Sequence, residues 1–470
     1  MLDGPYRKNP LPHLWQSATV WTWAQNGLRL GGGLITLFLL VRFLPRSDLG
    51  MYYVFIALTS FLGVLDGAFS ANLSRYLGYA LGGASELRAT GMNAPQDGAP
   101  PNWGLVHQLL GALAWLYRGF AGACGLLVLA VGTPLVWHAL PQTQSPALAS
   151  AAWAASVAAA AADVYASSWL TALRGLNRVR EAAQIATAVL ALRPLLLLLL
   201  FVGGAGLLAL PAATLATALL MAVAGRHRLR NWLRREAPPA PPAASSSRRL
   251  LGVLWPNTWR VGLKLLSLYL ASTALVQLCV RRLGLEDVAS YGLTVQLGAL
   301  AHGFATAWTL VKLPLATQYR AAGRTAELRR LLWGRVWLQD LSYLTVAAMI
   351  VAAGPWLLRA AGSDKVLLPE PWLTVFFLNG FLWMGYSFWT FLITTENRVP
   401  SLWPTVATSV LTVLAAYGLE RWTSLGVGAL VLAPLLSGLM FNYWYWAACG
   451  ARTLGTTRLR FFLRADGATG

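Results

Sequence analysis

Several ionisable residues interrupt long apolar stretches of the sequence, and these are the side chains most able to do chemistry. They are Arg29, Asp66, Arg118, Asp163, Arg193, Arg260, Lys264 and Asp340. A charge at the centre of a membrane costs at least about 2.5 kcal/mol, so it persists only beside a partner or a polar cavity. This placement predicts recognition of an ion or a charged ligand.

Three of the cations, Arg29, Arg260 and Lys264, form the predicted substrate-binding set. Arg260 and Lys264 are four positions apart, which places them on one face of a helix. A guanidinium offers a planar fork that matches phosphate oxygens, and an ammonium adds a compact positive charge. We therefore expect these residues to bind an anion that carries phosphate.

Three aspartates, Asp66, Asp163 and Asp340, are candidates for a different role. Each could neutralise one of the cations as a charge pair, or could carry a proton or a coupling ion. For Arg118 and Arg193, charge pairing or a position near a helix end explains the residue better than ligand binding does.

Motifs for catalysis are missing from the sequence. It has no glycine-rich phosphate loop, paired-histidine motif, Cys-x-x-Cys pair or nucleophile elbow. Cys124, Cys279 and Cys449 lie in apolar runs without a pairing pattern. We expect no catalytic residue, no metal site and no cofactor, and the chain is predicted not to be an enzyme.

The composition determines which elements must position these charges. Of 470 residues, 57% are hydrophobic and 11% charged, and the mean hydropathy is +0.54, whereas soluble domains are roughly 25% charged. This predicts an all-α polytopic membrane protein with about 12 transmembrane helices. The apolar runs cover residues 15–43, 50–80, 105–131, 147–173, 182–202, 206–225, 252–282, 288–312, 332–353, 372–394, 401–419 and 425–448.

A basic Pro/Ala/Ser segment divides the runs into two sets. The predicted domains are residues 1–235 and 251–450, each with six helices, joined by a cytoplasmic linker at 236–250 and followed by a basic tail at 451–470. The loops on one side hold about 24 Lys and Arg against about six on the other, which places both termini in the cytoplasm. The net charge of +20 then reflects topology and attraction to anionic inner-leaflet lipids, and nucleic acid is not an expected partner.

Two segments recur in the second half of the chain. SSWLTALRGLNRV at 167–179 matches SFWTFLITTENRV at 387–399, and RFLPRSDLGMYY at 42–53 matches RRLGLEDVASYG at 281–292. Like elements on the same membrane side indicate a parallel repeat, which predicts two pseudo-symmetric six-helix lobes around a central cavity. The first match repeats an Asn-Arg pair that is predicted either to end a helix or to act as a gate: Asn177, Arg178, Asn397 and Arg398.

The residues at 42–77 resemble the opening of O-antigen-type polysaccharide-export flippases in the multidrug/oligosaccharidyl-lipid/polysaccharide (MOP) exporter superfamily. The shared features are a polar turn ending in Asp-Leu-Gly, an aromatic helix start, and Leu-Asp-Gly in the second span. LEDVASYGLTVQLGALAHGF at 285–304 and LRGLNRVREA at 173–182 are similar to two further passages of that family. Twelve spans fit this branch better than the fourteen expected of the peptidoglycan-precursor branch.

The resemblance implies a flippase that moves a polyprenyl-diphosphate-linked oligosaccharide across the bacterial inner membrane by alternating access. It further implies that Arg29, Arg260 and Lys264 contact the diphosphate, and that a polysaccharide polymerase in the membrane could be a partner. Two alternatives remain open: a cation-coupled multidrug or metabolite antiporter of the same superfamily, and an intramembrane polysaccharide polymerase or ligase. A cavity lined by the three aspartates would favour the antiporter, whereas the polymerase or ligase would need a substantial outer loop with basic or histidine groups.

Overall fold

The computed structural model describes residues 18–83, 100–237, 247–312, 316, 319–320, 324–394 and 400–463. Within this part of the chain the regular structure is entirely helical. The helices are α1 Ala18–Phe43, α2 Arg46–Leu81, α3 Trp103–Trp137, α4 Pro146–Gly175, α5 Val179–Val202, α6 Ala209–Glu236, α7 Ser247–Arg282, α8 Leu285–Leu310, α9 Thr325–Ala360, α10 Trp372–Thr394, α11 Leu402–Trp422, α12 Val427–Met440, α13 Asn442–Thr453 and α14 Arg458–Leu463.

Ten candidate spans in the described residues are long and apolar enough to cross a membrane, and the bent pair α12–α13 raises the number to eleven. α8, with 26 residues, is less apolar and is not among them; counting it gives the predicted twelve. Exposed leucine, valine and tryptophan side chains cover these helices, as expected where lipid replaces water. The prediction of an all-α polytopic membrane protein is confirmed.

The chain divides into two compact units. The first unit comprises Met1–Leu39, Leu62–Val131 and Ala151–Trp259, and the second comprises Leu40–Phe61, Gly132–Ser150 and Arg260–Gly470. The end of α1 and the start of α2 thus belong with the second half of the sequence. The predicted linker at 236–250 lies largely outside the described residues, and the domain limits stay a prediction.

A repeated tryptophan packs in the same way in each unit. In the first unit Trp169 of α4 lies against Gly225 of α6, where a Cβ atom would come within 2.6 Å of the tryptophan Cβ. In the second unit Trp389 of α10 lies against Gly450 of α13, where a Cβ would lie 2.5 Å from the ring. Only glycine permits so close an approach, so the sequence match at 167–179 and 387–399 corresponds to a shared packing motif.

Candidate functional site

Lys264 is the centre of a polar cluster in the second unit. It lies on α7, inside the candidate span Thr258–Arg282, and its side chain is half-buried. The ammonium Nζ donates a hydrogen bond to Ser401 Oγ at 3.0 Å and lies 5.8 Å from the centre of the Tyr386 ring. Both contacts stabilise a cation without neutralising it, because a hydroxyl and an aromatic face carry no net charge.

Ser401 and Tyr386 are themselves held in place. Ser401 precedes α11, and its buried hydroxyl makes no capping bond to that helix. The Thr405 hydroxyl donates a hydrogen bond to the Ser401 carbonyl at 2.6 Å. The Tyr386 hydroxyl lies 2.8 Å from Thr405 Oγ1. Because the Thr405 proton is already used, Tyr386 is the donor to Thr405. This chain of hydroxyl groups fixes the wall against which the ammonium rests.

The other two predicted cations are exposed. Arg260 lies on α7 one turn before Lys264, and Arg29 lies on α1 in the first unit. The one-face relation of Arg260 and Lys264 follows from their common helix. That Arg29 joins them around one ligand stays a prediction.

Asp66 occupies a small cavity in the first unit. The Tyr117 hydroxyl on α3 donates to Asp66 Oδ1 at 2.6 Å, and the charges of Arg174 and Asp163 act on the same carboxylate. The cavity, otherwise lined by Leu62, Phe69, Phe120, Ala121, Cys124 and Val164, has a volume of about 10 Å³. That is room for about one water.

Asp163 forms an ion pair between two helices of the first unit, and a hydrogen bond links the pair to a third helix. Arg193 Nη2 of α5 lies 3.2 Å from Asp163 Oδ1 of α4, and Arg193 Nε donates to Thr217 Oγ1 of α6, also at 3.2 Å. This contact has the geometry of the charge pair that was one of the two roles predicted for Asp163. Arg118 is exposed on α3, where Nε donates to the Ala114 carbonyl.

Asp340 belongs to a separate cavity of about 40 Å³ in the second unit. Arg458 of α14 lines the same cavity and interacts electrostatically with the carboxylate. Gln339 accepts a hydrogen bond from Thr309 at 2.7 Å, and its side-chain amide also interacts with the Asp340 carboxylate. Aromatic rings form most of the remaining wall: Phe381, Phe388, Trp389, Tyr443 and Phe462.

The first Asn-Arg pair lies at the end of α4. Asn177 has φ +60°, and the Arg178 amide donates to the Leu173 carbonyl at 2.8 Å, which ends the helix in a left-handed cap. Arg178 then pairs with Glu181 of α5. Asn397 and Arg398 lie outside the described residues, so a gating role for the pairs stays a prediction.

The second of the two sequence matches contains a contact that its residue types do not predict. The matched turns 42–53 and 281–292 pack against each other inside the second unit, and we call this contact the repeat-turn cluster. A Cβ at Gly50 would lie 2.0 Å from the Leu285 carbonyl oxygen, and one at Gly292 would lie 2.2 Å from the Tyr53 ring. Tyr53 and Gly292 are equivalent positions of the repeat, as expected for a contact close to a pseudo-twofold axis.

Polar contacts surround this close approach. Arg46 Nη1 lies 3.1 Å from Glu286 Oε2, and the Tyr53 hydroxyl donates to Gln296 Oε1 at 2.7 Å. The Gln142 side-chain oxygen accepts a hydrogen bond from the Leu285 backbone amide at 3.0 Å. The sequence alignment of the two turns indicates that they are equivalent, but it does not predict that they contact each other.

Comparisons of the sequence with protein-family models and with curated proteins give no match. The fold, however, is that of MATE transporters of the MOP superfamily. The chain is similar to an inward-facing multidrug resistance MATE transporter (TM-score 0.66, 17% identity, covering 95% of this chain and 96% of that one). It is also similar to an outward-facing structure of such a transporter (TM-score 0.60, 15% identity, 96% and 100% covered).

A third similar structure concerns a MOP superfamily transporter from Pyrococcus furiosus, for which reverse polarity of the binding pocket suggests a different function (TM-score 0.52, 14% identity, 96% and 98% covered). The structural neighbours are membrane transporters, and that this chain is not an enzyme stays a prediction. The fold is therefore one found in multi-pass membrane transporters, and the function of this chain must be argued from the chemistry of its side chains.

Proposed function

We propose that this chain is an alternating-access flippase that exports a polyprenyl-diphosphate-linked oligosaccharide across the bacterial inner membrane, with both termini in the cytoplasm. The observation that carries the proposal is the half-buried ammonium of Lys264, whose partners among the described residues are the neutral groups of Ser401 and Tyr386. A positive charge within a membrane span that no described carboxylate neutralises is suited to an anionic ligand. A diphosphate supplies that charge.

The surroundings of two aspartates of the first unit, Asp66 and Asp163, also support an anionic rather than a cationic substrate. Asp163 is paired with Arg193 in a salt bridge. Asp66 accepts a hydrogen bond from the Tyr117 hydroxyl in a cavity with room for about one water. Among the described residues, the cavity beside Asp66 is too small for an organic cation. In the proposed mechanism the diphosphate and sugars pass through a polar cavity while the prenyl chain remains in lipid.

Alternating access requires a change between two conformations of the chain, and the repeat-turn cluster is a close contact inside one of its two units. The packing at Gly50 and Gly292 is too close for any side chain, and the Arg46–Glu286 pair reinforces it. A ligand drives such a change only by binding the two conformations with different affinity. We propose that contact of a multivalent diphosphate with Lys264, Arg260 and Arg29 provides that difference. Anionic inner-leaflet lipids and a polysaccharide polymerase are the proposed partners.

The second candidate is a cation-coupled multidrug antiporter. The similarity to multidrug resistance MATE transporters favours it, and Asp66 would then hold the coupling proton or cation. The pairing of Asp163 and the neutral surroundings of Lys264 count against an organic cation as the substrate.

Native mass spectrometry of the full chain in mild detergent tests the proposal. The probe is a short-chain polyprenyl diphosphate disaccharide, hereafter the diphosphate probe, in competition with a lipophilic organic cation. We expect the diphosphate probe to be retained, the Lys264→Gln variant to lose it, and the matched Lys312→Gln variant to keep it. Retention of the organic cation alone, abolished by Asp66→Asn, would overturn the proposal in favour of the antiporter.

A further inference from the structure

A cavity of about 390 Å³ lies in the first unit between the start of α5 and the end of α6. Its volume falls in the range of small-molecule binding sites, about 300–1,000 Å³. The residues that matter for its chemistry are Arg178, Glu181, Arg228, Asn231, Trp232 and Arg235. The cavity is separate from the clusters around Asp66 and Lys264, and none of its α6 residues enters the proposed transport mechanism.

The charges in this cavity are unevenly paired. Arg178 Nε lies 2.9 Å from Glu181 Oε1, so these two side chains largely satisfy each other. Within the described part of the chain, Arg228 and Arg235 form no side-chain hydrogen bond or ion pair, and the remaining carboxylate of the lining, Glu236, is exposed. Arg228 and Arg235 are seven positions apart, two turns along one helix face. The lining thus presents two guanidinium groups with free donors, the geometry that suits phosphate oxygens.

The cavity lies where phospholipid headgroups are expected. Leu219, Leu220 and Val223 of α6 are exposed apolar side chains, and the next turns, beginning at Arg226, are strongly basic. A change from lipid-facing apolar residues to arginine along one helix marks the level of the membrane interface.

Trp232 supplies the apolar component of the cavity. Its ring is half-buried, packs on the hydrophobic core of the first unit and lies 5.8 Å from the Trp103 ring, centre to centre. Tryptophan is enriched at interfaces because one part of the indole is apolar and the other donates a hydrogen bond. Asn231, whose side-chain nitrogen lies 2.9 Å from His227 Nε2, adds a neutral polar group to the same wall.

We propose that this cavity binds the phosphate of an anionic phospholipid headgroup, held by Arg228 and Arg235 with Trp232 beside the glycerol region. Basic pockets between membrane helices on the cytoplasmic side are suited to such headgroups. The proposal goes beyond the transport function, because the ligand is a resident membrane lipid and the site is distinct from the substrate site. A free phosphate presents the same chemistry, and the experiment separates the two sources.

The test measures binding of dioctanoyl phosphatidylglycerol, dioctanoyl phosphatidylcholine and inorganic phosphate to the purified full chain by native mass spectrometry. Arg228→Gln/Arg235→Gln is compared with Arg226→Gln/Arg230→Gln, which removes the same charge from the same helix outside the cavity lining. We expect the first double variant to raise the dissociation constant for phosphatidylglycerol about tenfold, and the second to raise it less than about twofold. Arg228→Lys/Arg235→Lys keeps the charge without the planar fork and is expected to fall between them.

Three outcomes decide the matter. Preference for phosphatidylglycerol over phosphatidylcholine, lost only in the cavity variant, supports the headgroup site. Binding of inorganic phosphate alone with the same dependence on Arg228 and Arg235 supports a phosphate site whose ligand is free in solution and overturns the lipid assignment. Equal losses in both double variants, or no loss in either, overturn the site altogether, because the attraction would then be diffuse charge along α6. If the Gln variant fails to fold, the Lys variant is compared with the matched Arg226→Lys/Arg230→Lys variant.

Discussion

Asp66 in the first unit and Lys264 in the second are both ionisable side chains on membrane-spanning helices held by hydroxyl and aromatic groups, yet their charges are opposite. Asp66 accepts the Tyr117 hydroxyl at 2.6 Å beside a cavity of about 10 Å³. Lys264 donates to Ser401 at 3.0 Å and faces the Tyr386 ring. The proposed function therefore assigns the two units different ligands: a proton or a small ion to the Asp66 carboxylate, and an anion to the Lys264 ammonium.

The difference also shows how little the fold decides about the substrate. The same superfamily fold is found in multidrug resistance transporters and in a transporter whose pocket polarity is reversed. In the latter, reverse polarity of the binding pocket suggests a different function, in line with the high energetic cost of an unmatched charge inside a membrane.

Reversing the charge of Lys264 should remove the anion site. We expect Lys264→Glu to weaken binding of the diphosphate probe about a hundredfold, roughly 2.7 kcal/mol, because attraction is replaced by repulsion in a poorly solvated environment. Native mass spectrometry titration measures the change. Lys312→Glu carries the same substitution outside the cluster and should bind normally; an equal loss in both variants would show that overall charge, rather than Lys264, attracts the ligand.

Removing the Tyr117 hydroxyl should destabilise the first unit. Tyr117→Phe leaves the Asp66 carboxylate without its 2.6 Å hydrogen bond, and we expect the free energy of unfolding in mixed micelles to fall by about 1–2 kcal/mol. Asp66→Asn in the same background should recover part of the loss, since the carboxylate that lost its hydrogen-bond donor is replaced by a neutral amide. Additive effects of the two substitutions would contradict a direct interaction between these side chains.

Removing the Tyr386 hydroxyl should have a smaller effect on the second unit. Tyr386→Phe loses the 2.8 Å contact with Thr405 but keeps the ring that faces Lys264. We expect a loss of about 0.6 kcal/mol in the free energy of unfolding, the typical value for such a bond in a membrane protein, with unchanged affinity for the diphosphate probe. A large loss of affinity would mean that the hydroxyl itself contacts the ligand.

Much of the fold was predictable, because an apolar run and its helix end at about the same residue wherever a polar turn comes next in the sequence. The run at 372–394 matches α10 at both ends. The run at 206–225 stops well before α6 ends at Glu236. Arginine is a good helix former but is hydrophilic, so the helix continues where the hydropathy falls. Hydropathy therefore marks only the lipid-facing part of α6. The run at 425–448 is two helices with a 40° bend between them, which no residue spacing indicated.

The site was less predictable, since the decisive contacts join residues on different helices. Asp163 and Arg193 are 30 positions apart and Asp66 and Tyr117 are 51 apart, and sequence periodicity describes only residues that share a helix. The position of each charge within an apolar run was readable from the sequence, and so was the repeat that links Tyr53 to Gly292. Which partner each charge meets depends on helix packing, which the sequence pattern does not give.

The smallest expected effect concerns the hydroxyl that positions Lys264. Ser401→Ala leaves the ammonium and the Tyr386 ring in place and removes only the 3.0 Å acceptor. We expect affinity for the diphosphate probe to fall about twofold, because the charge persists while the side chain is held less firmly. Ser409→Ala removes a hydroxyl from the same α11 helix that has no hydrogen-bond partner among the described residues, and it serves as the control. A loss at Ser401 as large as that of Lys264→Gln would mean that the serine binds the ligand directly, and the anion site would then extend from the ammonium of α7 to the start of α11.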